Sequence, residues 1–135
     1  MTVQKNNKAI HIALWVAQGF LAVLFILAGL TKALQPIEAL TTSLPWVTNT
    51  PEMLVRFIGF SELLGGLGLL IPSIFRFKPY LTVWAASGLA IIMILAGIFH
   101  ASRGEFSAII VNIIMMIIFL FIAWGRSKKA PILAK

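Results

Sequence analysis

Glu62 sits inside an apolar run from Leu54 to Ile74, eight positions past its first apolar residue. At about 1.5 Å of rise per helical residue the carboxylate lies roughly 12 Å below the edge of that run, near the middle of a hydrocarbon core about 30 Å thick. An acidic residue at a helix centre costs roughly 2.5 to 3.5 kcal/mol to insert, so it faces a bundle interior, finds a partner or takes up a proton. Gly59 and Gly66 share its helical stripe, with Gly65 alongside, and small residues at this spacing let another backbone approach. The stripe therefore reads as an interhelical face.

Four polar residues are placed to meet this carboxylate. Lys32 and His100 close the first and third apolar runs, and side chains lean toward a helix's N-terminus, so both lean into the bundle while Glu62 leans out toward them. Their Cα depths differ from that of Glu62 by about 12 to 15 Å and each long side chain recovers about 5 to 6 Å, so direct contact is marginal and a water bridge is plausible. Arg56 lies one and a half turns above Glu62, with Glu52 four residues before it in the favourable acid-first order, so a Glu52–Arg56 pair is the alternative. Asn112 in the fourth run falls at a depth close to that of Glu62. Glu62 and His100 are the candidate proton donor and acceptor, and Lys32, Arg56 and Asn112 are candidate ligand-binding groups. Each has a structural reading as well: Glu62 as helix-packing glue, Lys32 and His100 as complements to helix C-termini.

Other chemistries are excluded or disfavoured. The chain has no cysteine, hence no disulfide, thiolate nucleophile or iron–sulfur ligation. No metal site is expected: Met93, Met115 and Met116 read as packing, and His11 and His100 fall at opposite faces of the membrane, which argues against haem. Any redox group must belong to a bound small molecule or a partner.

The elements that position these residues follow from composition. With 60% hydrophobic and 11% charged residues the chain reads as a single integral membrane domain over residues 1–135. Four runs, about 9–30, 54–74, 80–99 and 106–124, have the length a helix needs to cross a bilayer, and they lack the period-two pattern of a barrel. The expected fold is all-α, a four-helix transmembrane bundle. The long connection 34–52, rich in proline, serine and threonine, is a candidate lid. The first run is too long for a signal peptide and lacks a small-x-small cleavage site.

Lys5, Lys8, Arg76, Lys78, Arg126, Lys128, Lys129 and Lys135 fall on one side of the runs, against Lys32 and Arg103 on the other, with Arg56 just inside a run. By the positive-inside rule both termini are cytoplasmic and the 34–52 connection faces outward, in a cell membrane. The net charge of +7 is thus explained by orientation and anionic headgroups, and nucleic acid is not an expected partner.

The segments Ala28-Gly29-Leu30-Thr31-Lys32, Arg56-Phe57-Ile58-Gly59-Phe60-Ser61-Glu62 with Gly65-Gly66 and Leu69-Leu70-Ile71-Pro72, and Ala96-Gly97-Ile98-Phe99-His100 resemble the DoxX-like family. The likeness runs from about Leu14 to Arg126. It implies a four-span membrane protein; the family takes its name from a subunit associated with thiosulfate:quinone oxidation, and other relatives are linked to membrane oxidoreductase assemblies that handle oxidative stress. The resulting expectation is a membrane subunit of a quinone-linked or other redox system. A quinone-like lipophile would bind in the outer half of the bundle, where Glu62 with His100 or Lys32 would hydrogen-bond or protonate it. The partners would be the bilayer, oxidoreductase subunits and a second copy of the chain. The alternative is a non-enzymatic scaffold in which Glu62 serves packing alone; a proton or solute transporter is a third, weaker reading, since four spans form a pore only in an oligomer.

Overall fold

The computed structural model describes residues 2–135, with side chains from Lys8 onward; Lys5, counted above among the basic residues, lies outside those side chains. The described residues form five α-helices: α1 (Thr2–Leu34), α2 (Ile37–Ser43), α3 (Glu52–Phe75), α4 (Tyr80–Ser102) and α5 (Phe106–Trp124). A 3-10 turn, Pro45–Asn49, joins α2 to α3, and a π-helical turn, Gly125–Lys129, extends α5. No strand occurs among the described residues.

Prolines and one glycine set the breaks. Pro36 disfavours helical backbone at Gln35, where α1 has ended, and Pro51 and Pro79 stand immediately before α3 and α4. Gly104, at φ 73°, supplies the left-handed residue of the turn into α5. The turn between α3 and α4 instead uses Arg76 and Lys78 at positive φ, held by the C-terminal tail: Arg76 Nε donates to Leu133 O and the Lys135 N–H donates to Arg76 O.

The chain is a multi-pass membrane protein. Lys8–Leu34, Glu52–Phe75, Tyr80–Ser102 and Phe106–Lys129 are each long and apolar enough to cross a bilayer. Large apolar side chains such as Phe57, Leu64, Trp84 and Ile110 cover the outside, while Gln18, Glu62, Ser73, Thr82 and Arg126 are buried. This distribution suits lipid contact, because hydrocarbon exerts no hydrophobic drive against exposed leucines and the bundle interior is where polar groups find partners.

Helices α1 and α3 pack most closely. A Cβ at Gly59 would lie 2.6 Å from the Ala33 nitrogen, and one at Gly29 would lie 2.5 Å from the Leu63 nitrogen. The two backbones therefore touch. Gly66 meets Ile26 and Ala22 further along, which fixes an antiparallel register, whereas Gly65 and Gly68 face α4 at Leu89 and Ala85. One core, containing Leu14, Leu21, Phe25, Leu69, Leu89 and Phe119, fills the space between the four long helices. A smaller one, Leu40, Val47 and Val55, seats the 35–51 connection on α3. The end carrying that connection is termed the loop end, and the opposite one the termini end.

A candidate ligand cavity at the loop end

The register of α1 on α3 places Lys32 beside Gly59, one helical turn above Glu62. A lysine side chain spans that distance. Lys32 Nζ donates to both Glu62 oxygens, at 2.9 and 2.8 Å, and the two side chains are only 14% and 6% exposed. The depth difference of about 12 to 15 Å, which leaves direct contact marginal, is closed by the glycine contacts that set α1 deeper along α3, and no bridging water is needed. The stripe Val55, Gly59, Glu62, Gly66 and Leu69 is buried, as its spacing predicts.

Arg56 has a different task. Its Nη1 donates to Lys32 O and Gln35 O, at 3.0 and 2.6 Å, and its Nη2 to Glu52, at 3.2 Å. It therefore caps carbonyls that the end of α1 leaves without intrahelical partners, and holds the acid four residues away.

His100 closes α4 without a hydrogen bond to Glu62. Its Nδ1 lies 3.1 Å from Glu105 Oε1, which also accepts from Arg103 Nε at 2.9 Å. The His100 hydrogen bond, followed by the Arg103 bond and charge, holds the Glu105 carboxyl below its ordinary range. With Nδ1 directed at a carboxylate, Nε2 is the ring's remaining polar atom.

Lys32, Glu62, His100 and Asn112 line one cavity of about 520 Å³ at the loop end, whose other walls are chiefly apolar: Phe25, Phe57, Met93 and Phe99 among them. The volume suits a small-molecule site. Trp46 and Thr50 of the long connection also line it, and Trp46 packs edge-on against Phe99 with ring centroids 5.9 Å apart. Arg56 is not among the lining residues.

Counting donors shows what the cavity can offer a ligand. The hydroxyls of Ser61 and Thr50 are spent on Phe57 O and Trp46 O, four residues earlier in each case. Lys32 directs two of its three N–H groups at Glu62. Asn112 Nδ2 is buried and has no partner. An unsatisfied buried donor costs roughly 1 to 3 kcal/mol, so an acceptor that reached this amide would be favoured.

A second polar layer, near the termini end, was missed in the sequence. Pro72 has no N–H, which frees the Gly68 carbonyl one turn earlier in α3. The Thr82 hydroxyl donates to it at 3.0 Å, Ser73 then donates to Thr82 at 2.8 Å, and Gln18 Nε2 bonds Ser73 Oγ and Leu69 O. Gln18 Oε1 accepts from Arg126 Nε at 2.6 Å. Pro72 in an apolar run, with Gln18 and Thr82 in neighbouring runs, was the available signal. Among the described residues no three acid or histidine side chains are grouped to hold a metal ion.

The model of the DoxX-like family matches residues 16–123, which is most of the chain. No curated protein and no solved structure matches it.

Proposed function

The chain belongs to the DoxX-like family, and from that premise we propose that it is a membrane subunit of a redox system whose loop-end cavity binds an elongated lipophile with a carbonyl-bearing head, of quinone type. The observation that carries this reading is the unpartnered Asn112 amide on the wall of a largely apolar cavity. Apolar walls receive a hydrophobic ring and tail, and a buried donor orients one carbonyl.

When bound, a quinone takes up two electrons and two protons to become a quinol. The chain's own residues would hold and move protons at the head: Nε2 of His100, its imidazolium stabilised by Glu105, would donate one proton to a head oxygen, and Lys32 with Glu62 would form a second relay that opens toward the cavity. Asn112 orients, and the 35–51 connection acts as a lid through Trp46. Electrons come from a partner oxidoreductase subunit, because a chain without cysteine offers no thiol relay. In this reading residues 1–135 form one membrane domain of the cell membrane, with both termini cytoplasmic and the loop end outward. The excess of Lys and Arg at the termini end supports that orientation.

Extraction of quinone from protein purified in mild detergent tests the reading. Wild type retains it, Asn112→Leu and His100→Ala retain less, and Glu62→Gln retains it while quinone-linked turnover in membranes falls. Quinone-free wild type together with unchanged turnover in Glu62→Gln defeats it.

One observation favours a second reading, a non-enzymatic scaffold. Glu62 is fully engaged by Lys32 beside a glycine-mediated backbone contact, as expected of packing glue. On that reading Glu62→Gln lowers recovery of a partner complex and leaves the turnover of what does assemble unchanged.

A further inference from the structure

Arg126 is a buried cation without a counter-ion among the described residues. It is 4% exposed, yet the groups that meet it are neutral: Gln18 Oε1, Ala130 O at 2.8 Å, His11 Nδ1 at 2.9 Å, and the Trp15 ring, whose centroid lies 5.1 Å from the guanidinium carbon. His11 satisfies it only in part, because Trp15 Nε1 also donates to that ring, at Nε2, and a neutral imidazole has a single acceptor nitrogen. Arg126 Nη2 is itself buried and has no partner among the described residues. The four acids of the chain, Glu38, Glu52, Glu62 and Glu105, all belong to the loop end.

The Pro72 repair accounts for Gln18, Ser73 and Thr82 but leaves the guanidinium unexplained. A neutral side chain could have donated to Gln18 without the cost of burying a charge. Arg126 also lines a cavity of about 320 Å³, bounded by Ser73, by Tyr80 and Trp84 at the start of α4, and by the C-terminal segment. The N-terminus of a 23-residue helix borders it and carries partial positive charge, although its Leu81 and Thr82 N–H groups already donate to Lys78 O and Pro79 O. Tyr80 and Trp84 are exposed and stacked edge to face, an aromatic pair of the kind found at headgroup level.

We propose that this cavity is a binding site for a phosphate-type anion, with Arg126 as its charged ligand and the start of α4 as its second wall. The shared chemistry is a phosphate monoester or diester oxygen accepting from a guanidinium, a pairing that Arg geometry favours. An anionic phospholipid headgroup and a free phosphate both present it with net negative charge, whereas the phosphate of a zwitterionic headgroup is offset by its own ammonium.

Native mass spectrometry and thermal melting of the purified full chain in detergent test the proposal, with phosphatidylglycerol, phosphatidylcholine and sodium phosphate as probes. Phosphatidylglycerol stays bound and raises the melting temperature more than phosphatidylcholine does; Arg126→Gln weakens its retention about tenfold or more. Val83→Phe fills the cavity from α4 without removing the guanidinium, and weakens retention likewise, so it decides the matter where Arg126→Gln does not fold. Protection by sodium phosphate equal to that by the anionic lipid, and lost in the same variants, assigns the site to a free anion. No preference for either anionic probe, or a preference unchanged in both variants, overturns the proposal.

Discussion

At the loop end partly buried and exposed cations meet carboxylates: Lys32 meets Glu62, Arg56 meets Glu52 and Arg103 meets Glu105. At the termini end, among the described residues, Arg126 meets only amide, carbonyl, imidazole and indole groups. The first arrangement is electrically closed and has one orphan, the neutral amide of Asn112; the second is open and its orphan is part of a cation. A closed layer beside an apolar cavity suits a neutral lipophile, and an open cation beside a smaller cavity suits an anion. The difference teaches that two polar layers in one bundle, each legible as packing glue, are separated by what each leaves unpaired.

Removing one partner from each layer probes that contrast most strongly. Lys32→Met strands Glu62 without its cation and should cost about 3 to 5 kcal/mol, most of it recovered in the Lys32→Met/Glu62→Met double variant. Arg126→Met leaves behind only neutral acceptors such as Gln18 Oε1, for a cost of about 1 to 3 kcal/mol. Unfolding in detergent checks both, and equal losses would erase the distinction between a closed and an open layer.

The backbone contact that sets the loop-end register gives the next effect. Gly59→Ala puts a methyl against the Ala33 nitrogen and should cost about 1 to 3 kcal/mol, whereas Gly97→Ala, with nothing within 4 Å, should be neutral or slightly stabilising. A stable Gly59→Ala protein would mean that the register rests on something other than close approach.

A smaller effect isolates the Pro72 repair at the termini end. Thr82→Val should cost about 1 to 2 kcal/mol by leaving the Gly68 carbonyl unpaired, and less in a Pro72→Ala background, where the helix N–H returns to that carbonyl. Additive losses in the double-mutant cycle would show that Thr82 does not answer Pro72.

The smallest effect is one of pH, at the exposed loop-end turn. Because the folded state holds the Glu105 carboxyl below its ordinary range, its contribution is present above the unfolded value of about pH 4.3 and lost as pH falls through the folded value. Melting temperatures of Glu105→Gln and wild type should therefore converge toward acid; a constant gap would argue against the His100–Glu105 hydrogen bond.

The four long helices and the buried Glu62 stripe were legible because both are periodic properties of single segments. What escaped the sequence depended on how segments slide past each other. Lys32 reached Glu62 only because Gly29 and Gly59 bring α1 and α3 into backbone contact in one register. Arg126 read as one of several basic residues at a span end. Gly125 packs against Leu14, where a Cβ would lie 2.6 Å from both terminal methyls, so the end of α5 hugs α1 and carries Arg126 inward to Gln18. Small residues set both registers, and a sequence pattern marks such residues without saying which neighbour each one meets.

Retention of a lipophile by the loop-end cavity is the most direct measurement. Ala96 lines that cavity, so Ala96→Phe should fill it while leaving Lys32, Glu62, His100 and Asn112 in place. Native mass spectra of the two proteins, purified side by side from membranes in mild detergent, should show a quinone-mass adduct on wild type and none on Ala96→Phe. Wild type without an adduct, or the same adduct on both proteins, would contradict the account.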